Sequence, residues 1–242
     1  MSIRPANAYA TRLGNGTIFL SHDDFDIDLR SLAFVVVDEP YRTDYADAVV
    51  VDLGAHKGYY GAYALALGAR AVVSFEPERA NLELLHRAAA SYGLARWHVR
   101  EAAVGATGGT AELHVMGASW GHALHPPDRF SQYEVGTQSV RVDSLAAALE
   151  DASVLGRGDA RLVVKLNIEG AECETVLGTP AGAWEMVDEV FVETHPWASC
   201  GAAELSAHLA PAGLSELEGS HPLVLRLRRA APSRAARRNG ST

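Results

Sequence analysis

The sequence predicts an α/β domain with a mostly parallel sheet and helices on both faces, and three observations predict it. Short, almost wholly apolar runs rich in β-branched residues recur at residues 49–51, Ala71–Phe75, Leu162–Leu166 and 189–194. Such runs are what strands buried on both faces require. Between them lie segments with apolar residues at helical spacing, so strand and helix alternate. The 242 residues, 48% hydrophobic and 21% charged, fit one core, because single cores grow to about 250 residues before chains split. The expected division is an N-terminal covering segment at 1–47, one domain at 48–230, and a tail at 231–242. The tail mixes Ala, Pro, Ser, Arg, Asn and Gly without periodicity and reads as disordered.

The first 47 residues hold five acids within a short span, Asp23, Asp24, Asp26, Asp28 and Asp38. They lack the glycine at the sixth loop position and the closing Glu of a calcium hand, so a solvated loop leading into a helix or strand is expected, and no metal site. The segment is expected to cover one end of the sheet and to bring Tyr41 and Tyr45 towards a substrate.

Val49, Val50 and Val51 are followed by Asp52, a glycine-rich turn, and then Tyr60, Tyr63, Ala64 and Leu67 at helical spacing. This reads as strand, turn, helix. Gly54 and Gly58 let the backbone turn sharply, let a ligand approach closely, and aim the free N–H groups of a helix start at it. The next strand ends in Glu76, 24 residues after Asp52, close to the offset of a carboxylate that binds ribose hydroxyls. The turn reads D-x-G-x-x-x-G rather than the G-x-G-x-x-G that a dinucleotide pyrophosphate needs. An acid just before the turn suits a ligand with a cationic amino-acid end, and S-adenosylmethionine is that ligand. An NAD-dependent oxidoreductase would share the strand-turn-helix and Glu76 but should carry the missing fingerprint.

A third segment adds specificity. LVVKLNIEGAECETVLG, together with VVDLGAHKGYY and FEPE, resembles the three ordered motifs of FkbM-type S-adenosylmethionine-dependent methyltransferases, over residues 49–197. His56 stands where that family commonly has Asn, and Asn167 where it commonly has Asp. The resemblance implies a Rossmann-like class I methyltransferase sheet of seven strands with a C-terminal antiparallel hairpin. It also implies methylation of an oxygen on a sugar or secondary metabolite. The cofactor-binding candidates are Asp52, Gly54, Ala55, His56, Gly58, Glu76, Pro77, Glu101, Ala102 and Ala103. Because Asn167 departs from the acidic pattern, a catalytically inactive S-adenosylmethionine-binding protein is the alternative.

Along the rest of the chain, Pro77 precedes a helix whose Leu82, Leu84, Leu85 and Ala89 pack on the sheet and which Gly93 ends. A third strand carries Trp97, Val99 and Glu101, and a turn at 102–105 places Ala102 and Ala103 beside adenine. Glu101 either accepts from the adenine amine or faces solvent. Strands at 110–115 and 137–142 flank an irregular loop, 116–136, long enough to be a lid or substrate loop. It holds Trp120, His122, His125, Arg129 and Tyr133, of which Trp120, His122 and Tyr133 are the substrate-binding candidates.

The strand Leu162–Leu166 puts Lys165 and Asn167 on one face, with Glu169 beyond its end, where open α/β sheets bind ligands. Lys165 is either catalytic or pairs with a carboxylate to hold two loops. Glu172 opens a helix, where an acid is favoured by the dipole alone. Strand 189–194 ends in His195, the first candidate for the base that takes the acceptor's proton, with Glu193 as its neighbour and His56 as the alternative base. Lys165, Asn167, Glu169 and His195 make up the catalytic candidates. A neutral amide at Asn167 argues against a magnesium site, which is usually held by carboxylates. Helix Ala202–Leu209 and a hairpin with a Gly-Ser turn close the domain.

The net charge of −9 conceals six arginines near the C-terminal end, Arg226, Arg228, Arg229, Arg234, Arg237 and Arg238, so the body is more acidic than the total. A small-molecule acceptor is therefore expected and a nucleic-acid partner is not. No apolar run approaches the roughly 20 residues of a membrane span and the N-terminus has no signal-like apolar stretch, so a soluble, cytoplasmic protein without a membrane partner is expected. Cys173 and Cys200 form no C-x-x-C pair, and reduced structural thiols are expected. The oligomeric state is left open, with a homodimer as one option.

Overall fold

The structure, a computed structural model, describes residues 7–156, 159–219 and 221–230. The chain opens with a hairpin, β1 (Ala8–Leu13) and β2 (Gly16–Ser21), then α1 (Phe25–Ala33), which runs on into a π-helical turn at Phe34–Asp38. The central alternation follows as β3 (Val49–Leu53), α2 (Tyr59–Ala66), β4 (Ala71–Phe75), α3 (Arg79–Tyr92) and β5 (Trp97–Arg100). Next come β6 (Ala103–Gly105), β7 (Gly109–Met116), β8 (Glu134–Ser144) and α4 (Leu145–Leu155). The chain then runs through β9 (Leu162–Leu166), α5 (Glu172–Gly178), β10 (Glu189–Glu193), α6 (Ala202–Leu209), β11 (Leu214–Glu216) and β12 (Val224–Arg229).

Seven strands form the main sheet in the order β11-β12-β10-β9-β3-β4-β5. Neighbours from β10 to β5 pair parallel, and β12 runs antiparallel to both β10 and β11. This is the mostly parallel seven-stranded sheet with a C-terminal antiparallel hairpin that the sequence predicts. Along β3 the two-residue period splits the valines: Val49 and Val51 join the core with Leu145, Leu149 and Trp184, whereas Val50 joins Tyr60, Leu85 and Ala88 on the other face. Both faces are therefore packed, which explains the unbroken apolar runs.

The order also creates a crevice. The chain leaves β3 towards β4 and β5, then returns to β9 on the other side of β3, so the loops after β3 and β9 diverge at the switch point where such sheets bind ligands.

Three features differ from the sequence reading. The N-terminal hairpin is added, its tight turn made by Gly14 at φ +60°. Residues Ala103–Gly105, expected as a turn, form a strand parallel to β8 in a separate three-stranded sheet, β6-β8-β7. Cys173 and Cys200 are joined in a disulfide rather than reduced. The physical reason is topological: β9 and β10 are parallel neighbours, so the start of α5 and the loop after β10 meet and set the two Cα atoms 5.7 Å apart. Among the described residues no helix is long and apolar enough to cross a membrane. The expected tail at 231–242 and Ser220 of the hairpin turn lie outside the described residues.

Candidate active site

A cavity of about 810 Å³ opens at the C-terminal ends of β3, β4, β9 and β10, roofed by α1 and by the loop between β7 and β8. One half is built on the turn after β3. Gly54 stands at φ +74°, and a Cβ there would lie 1.8 Å from the Asn167 carbonyl, so the close approach of the β3 and β9 loops is what demands glycine. Gly54, Ala55 and His56 line the cavity, as do Glu76, Pro77, Ala102 and Ala103.

Glu76 is buried, its Oε2 accepting from the His56 N–H at 2.8 Å and its Oε1 from the Glu78 N–H at 3.0 Å. Burial pushes its carboxyl up to about 7 against the pull of those donors. Asn81, in the first turn of α3, stands beside it and also lines the cavity.

Three cofactor candidates, Asp52, Gly58 and Glu101, stand outside the cavity wall. Asp52 is wholly buried and does not line the cavity: Lys165 Nζ donates to its Oδ1 at 3.1 Å and the Ser74 hydroxyl to its Oδ2 at 3.3 Å. Lys165 also donates to the Leu53 and Gly54 carbonyls, at 3.2 and 2.8 Å. The two side chains face each other across β3 and β9, and so tie the loops together. Gly58 starts α2 at φ +91° and packs against Leu85 and Trp97, where a Cβ would clash. Glu101 is exposed, 3.1 Å from His86, because β5 ends at Arg100 and the next side chain turns outward. His56 Nε2 is hydrogen-bonded to the Ser119 hydroxyl at 2.9 Å, and burial holds its ring well below the usual histidine range, in the neutral form.

A second lysine organises this half. Lys57, 2% exposed, donates to Asp28 Oδ1 at 2.6 Å, to Asp24 at 3.2 Å and to the Ser119 hydroxyl at 3.0 Å. Two of the five N-terminal acids are thus partners of a cation in the glycine-rich turn. The cation stands in the turn motif itself, between Gly54 and Gly58, but its carboxylate partners lie about 30 residues away, so the motif alone does not show the pair. Ser119 in turn brings the loop between β7 and β8 down onto that turn.

The other half gathers Lys165, Asn167, Glu169, Glu193, His195 and Trp197. His195 Nε2 lies 3.6 Å from Glu169 Oε2, and its Nδ1 lies 3.3 Å from Glu172 Oε1, out of line for a hydrogen bond. Burial opposes a charged ring, but the two carboxylates outweigh it and hold His195 up to about 10. The expected neighbour, Glu193, instead accepts from the Tyr41 hydroxyl at 2.7 Å. Glu172 accepts from the Ile168 and Gly170 N–H groups, at 2.8 and 2.9 Å, and so shapes the loop that carries Glu169. Glu169 itself is raised by burial, with His195 pulling it back. Asn167 leaves its buried Oδ1 without a partner among the described residues.

Of the loop candidates, Trp120 and His122 line the cavity, with His122 Nδ1 accepting from the Met116 N–H at 3.0 Å. Tyr133 is 59% exposed and lies outside it, at the end of a short 3-10 turn, Asp128–Tyr133. Phe130 from that turn packs edge-on against Trp197, which in turn lies against His195. Tyr41 reaches the cavity, whereas Tyr45 is core, its hydroxyl 3.1 Å from that of Tyr60.

No protein-family model matches the chain. No curated protein matches it either. Among solved structures it is similar to a candidate tRNA methyltransferase of Streptococcus pneumoniae solved with S-adenosyl-L-methionine (12% identity, 88% of this chain and 78% of that one, TM-score 0.44). Further similarities are to a ribosomal-protein methylase of Lactobacillus delbrueckii (12%, 83% and 78%, TM-score 0.40) and to a precorrin methyltransferase of Geobacter metallireducens (11%, 81% and 87%, TM-score 0.40). The strand order, not these distant likenesses, defines the fold of this chain.

Proposed function

We propose that the protein is an S-adenosylmethionine-dependent methyltransferase acting on a hydroxyl oxygen of a small molecule, a sugar or secondary metabolite, as an FkbM-type enzyme would. The observation that carries this reading is Glu76: a buried carboxylate at the end of β4, facing the same cavity as the turn after β3. Its oxygens accept one backbone N–H each, which leaves further lone pairs for ribose hydroxyls. Pro77, Ala102 and Ala103 supply the small apolar walls that an adenine needs, and Asn167 Oδ1 offers an acceptor towards the methionine end or the acceptor molecule.

When bound, S-adenosylmethionine supplies an electrophilic methyl, which the acceptor oxygen attacks in line while the S–CH₃ electron pair returns to sulfur. The residues of the chain then have two tasks. Trp120, His122 and Trp197 wall the acceptor in, and holding it collinear with the breaking bond is a large part of the acceleration. A group must also take the hydroxyl proton. His195, already carrying a proton at neutral pH, is not that group; Glu169 is, and the His195 imidazolium beside it stabilises its charged form. His56, neutral and hydrogen-bonded to Ser119, belongs to the cofactor half.

The acidic body favours a small acceptor over a nucleic acid. The donor set supports catalysis without a divalent metal: Asn167 is a neutral amide, and Glu169 stands beside the His195 ring. The alternative, an inactive S-adenosylmethionine-binding protein, rests on that same amide. Incubation with methyl-deuterated S-adenosylmethionine and metabolite extracts from cells with and without the gene tests the reading. Labelled product with matching S-adenosylhomocysteine is expected, and cofactor binding without any transfer would favour the alternative.

A further inference from the structure

Asn81 is a residue that neither the motifs nor the strand-end logic single out. It is 2% exposed, lines the cavity, and sits close enough to Glu76 for its amide to help hold that carboxylate in the charged form. Its backbone N–H is taken by the Glu78 side chain at 2.7 Å, which caps α3 and fixes the residue in the first helical turn. Its Nδ2 donates to the Ser119 carbonyl at 3.3 Å. Because that partner is a carbonyl, the amide orientation is settled: nitrogen towards the loop, oxygen the other way. The oxygen is then buried with no partner among the described residues.

An unpartnered buried acceptor in a native fold calls for a donor, and in the wall of a ligand cavity a bound ligand can bring it. The donors available beside a ribose-binding carboxylate are the two vicinal hydroxyls of the sugar. Each Glu76 oxygen already accepts one backbone N–H, and Asn81 Oδ1 adds a second acceptor group where the sugar presents two donors. We propose that Asn81 Oδ1 accepts a hydrogen bond from one ribose hydroxyl of the cofactor while Glu76 accepts from the other. The inference rests on the S-adenosylmethionine reading and refines it. Since the same amide holds the Ser119 carbonyl, the ribose contact and the seating of the β7–β8 loop share one side chain.

The test is a cycle of ligand against protein. Dissociation constants are measured by calorimetry for S-adenosylhomocysteine and its 2′-deoxy and 3′-deoxy analogues, on the wild type, Asn81→Ala and Asn81→Ser. The cycle compares ligands on the same variant, so a partial loss of stability cancels, and Asn81→Ser serves if Asn81→Ala does not fold. The wild type is expected to bind one deoxy analogue about tenfold more weakly than the parent. Asn81→Ala should bind the parent about tenfold more weakly than the wild type does and should no longer discriminate against that analogue. Full discrimination retained in the variants overturns the inference and leaves the functional reading standing. No binding of S-adenosylhomocysteine by the wild type overturns the functional reading, and the inference with it.

Discussion

Nε2 of His195 stands 3.6 Å from Oε2 of Glu169 within the wall of the cavity, and the pair joins the loops after β9 and β10. With Glu172 on its other side, the ring is held up to about 10, so at saturating S-adenosylmethionine the rate should show no rise through pH 6.5. Glu169→Gln should lower kcat by about 10²–10⁴, the usual worth of a general base. His195→Ala should lower kcat less, and should move the acid limb of the pH profile upward, because the imidazolium pulls the Glu169 carboxyl down. Steady-state rates from pH 5 to 10 check both, and an inflection near 6.5 that disappears in His195→Ala would return the role to that histidine.

The same pair makes stability depend on pH. The folded value for His195, about 10, lies above the ordinary value of 6.5, so its contribution is fully present below 6.5 and is lost as pH rises through about 10. Denaturant unfolding of the wild type and His195→Gln should therefore differ most near pH 6, with the gap closing towards pH 10. A gap that is constant with pH would contradict the raised value.

Among the described residues, Lys57 is the only cation within ion-pair distance of Asp28 apart from His56, which burial holds neutral. Removing one partner of a buried pair leaves an uncompensated charge, so Lys57→Met should destabilise the protein by about 3–5 kcal/mol. Adding Asp28→Asn should restore part of the loss. Chemical unfolding of the single and double variants measures it, and strict additivity would deny the coupling.

Replacing residues 125–132 by two glycines removes Phe130 from Trp197 but keeps Ser119, Trp120 and His122. Acceptor turnover should be abolished while S-adenosylhomocysteine affinity stays within a few-fold, since the loop's tie to the cofactor half runs through Ser119. Unchanged acceptor kinetics would show that this part of the loop does not recognise the acceptor.

The main sheet was legible because doubly covered strands leave unbroken apolar runs, and Ala71–Phe75, Leu162–Leu166 and Ala202–Leu209 fall where the pattern puts them. Separate short sheets leave weaker traces: the first hairpin is half exposed, and Ala103–Gly105 is only three residues long. At the site, spacing located Glu76 and the loop after β9, but not the partners of each side chain. Asp52 looks like a ligand carboxylate until the register of β3 against β9 brings Lys165 opposite it. Glu169 and Glu172 around His195, Lys57 with Asp28, and the Cys173–Cys200 disulfide are tertiary meetings of segments distant in sequence, with no short-range signature.

The most direct test of the account is equilibrium binding to Glu76 variants. The wild type should bind S-adenosylmethionine and S-adenosylhomocysteine saturably at one site, and NAD⁺ weakly or not at all. Glu76→Ala should weaken S-adenosylmethionine binding by roughly ten- to a hundredfold, since hydrogen bonds to a charged group are worth about 1.5–3 kcal/mol. Because burial raises the Glu76 carboxyl to about 7, wild-type affinity should also fall as pH drops from 8 to 6, and this fall should vanish in Glu76→Ala. Calorimetry at the two pH values reads all of this. Tight NAD⁺ binding, or S-adenosylmethionine affinity untouched by Glu76→Ala, would contradict the assignment.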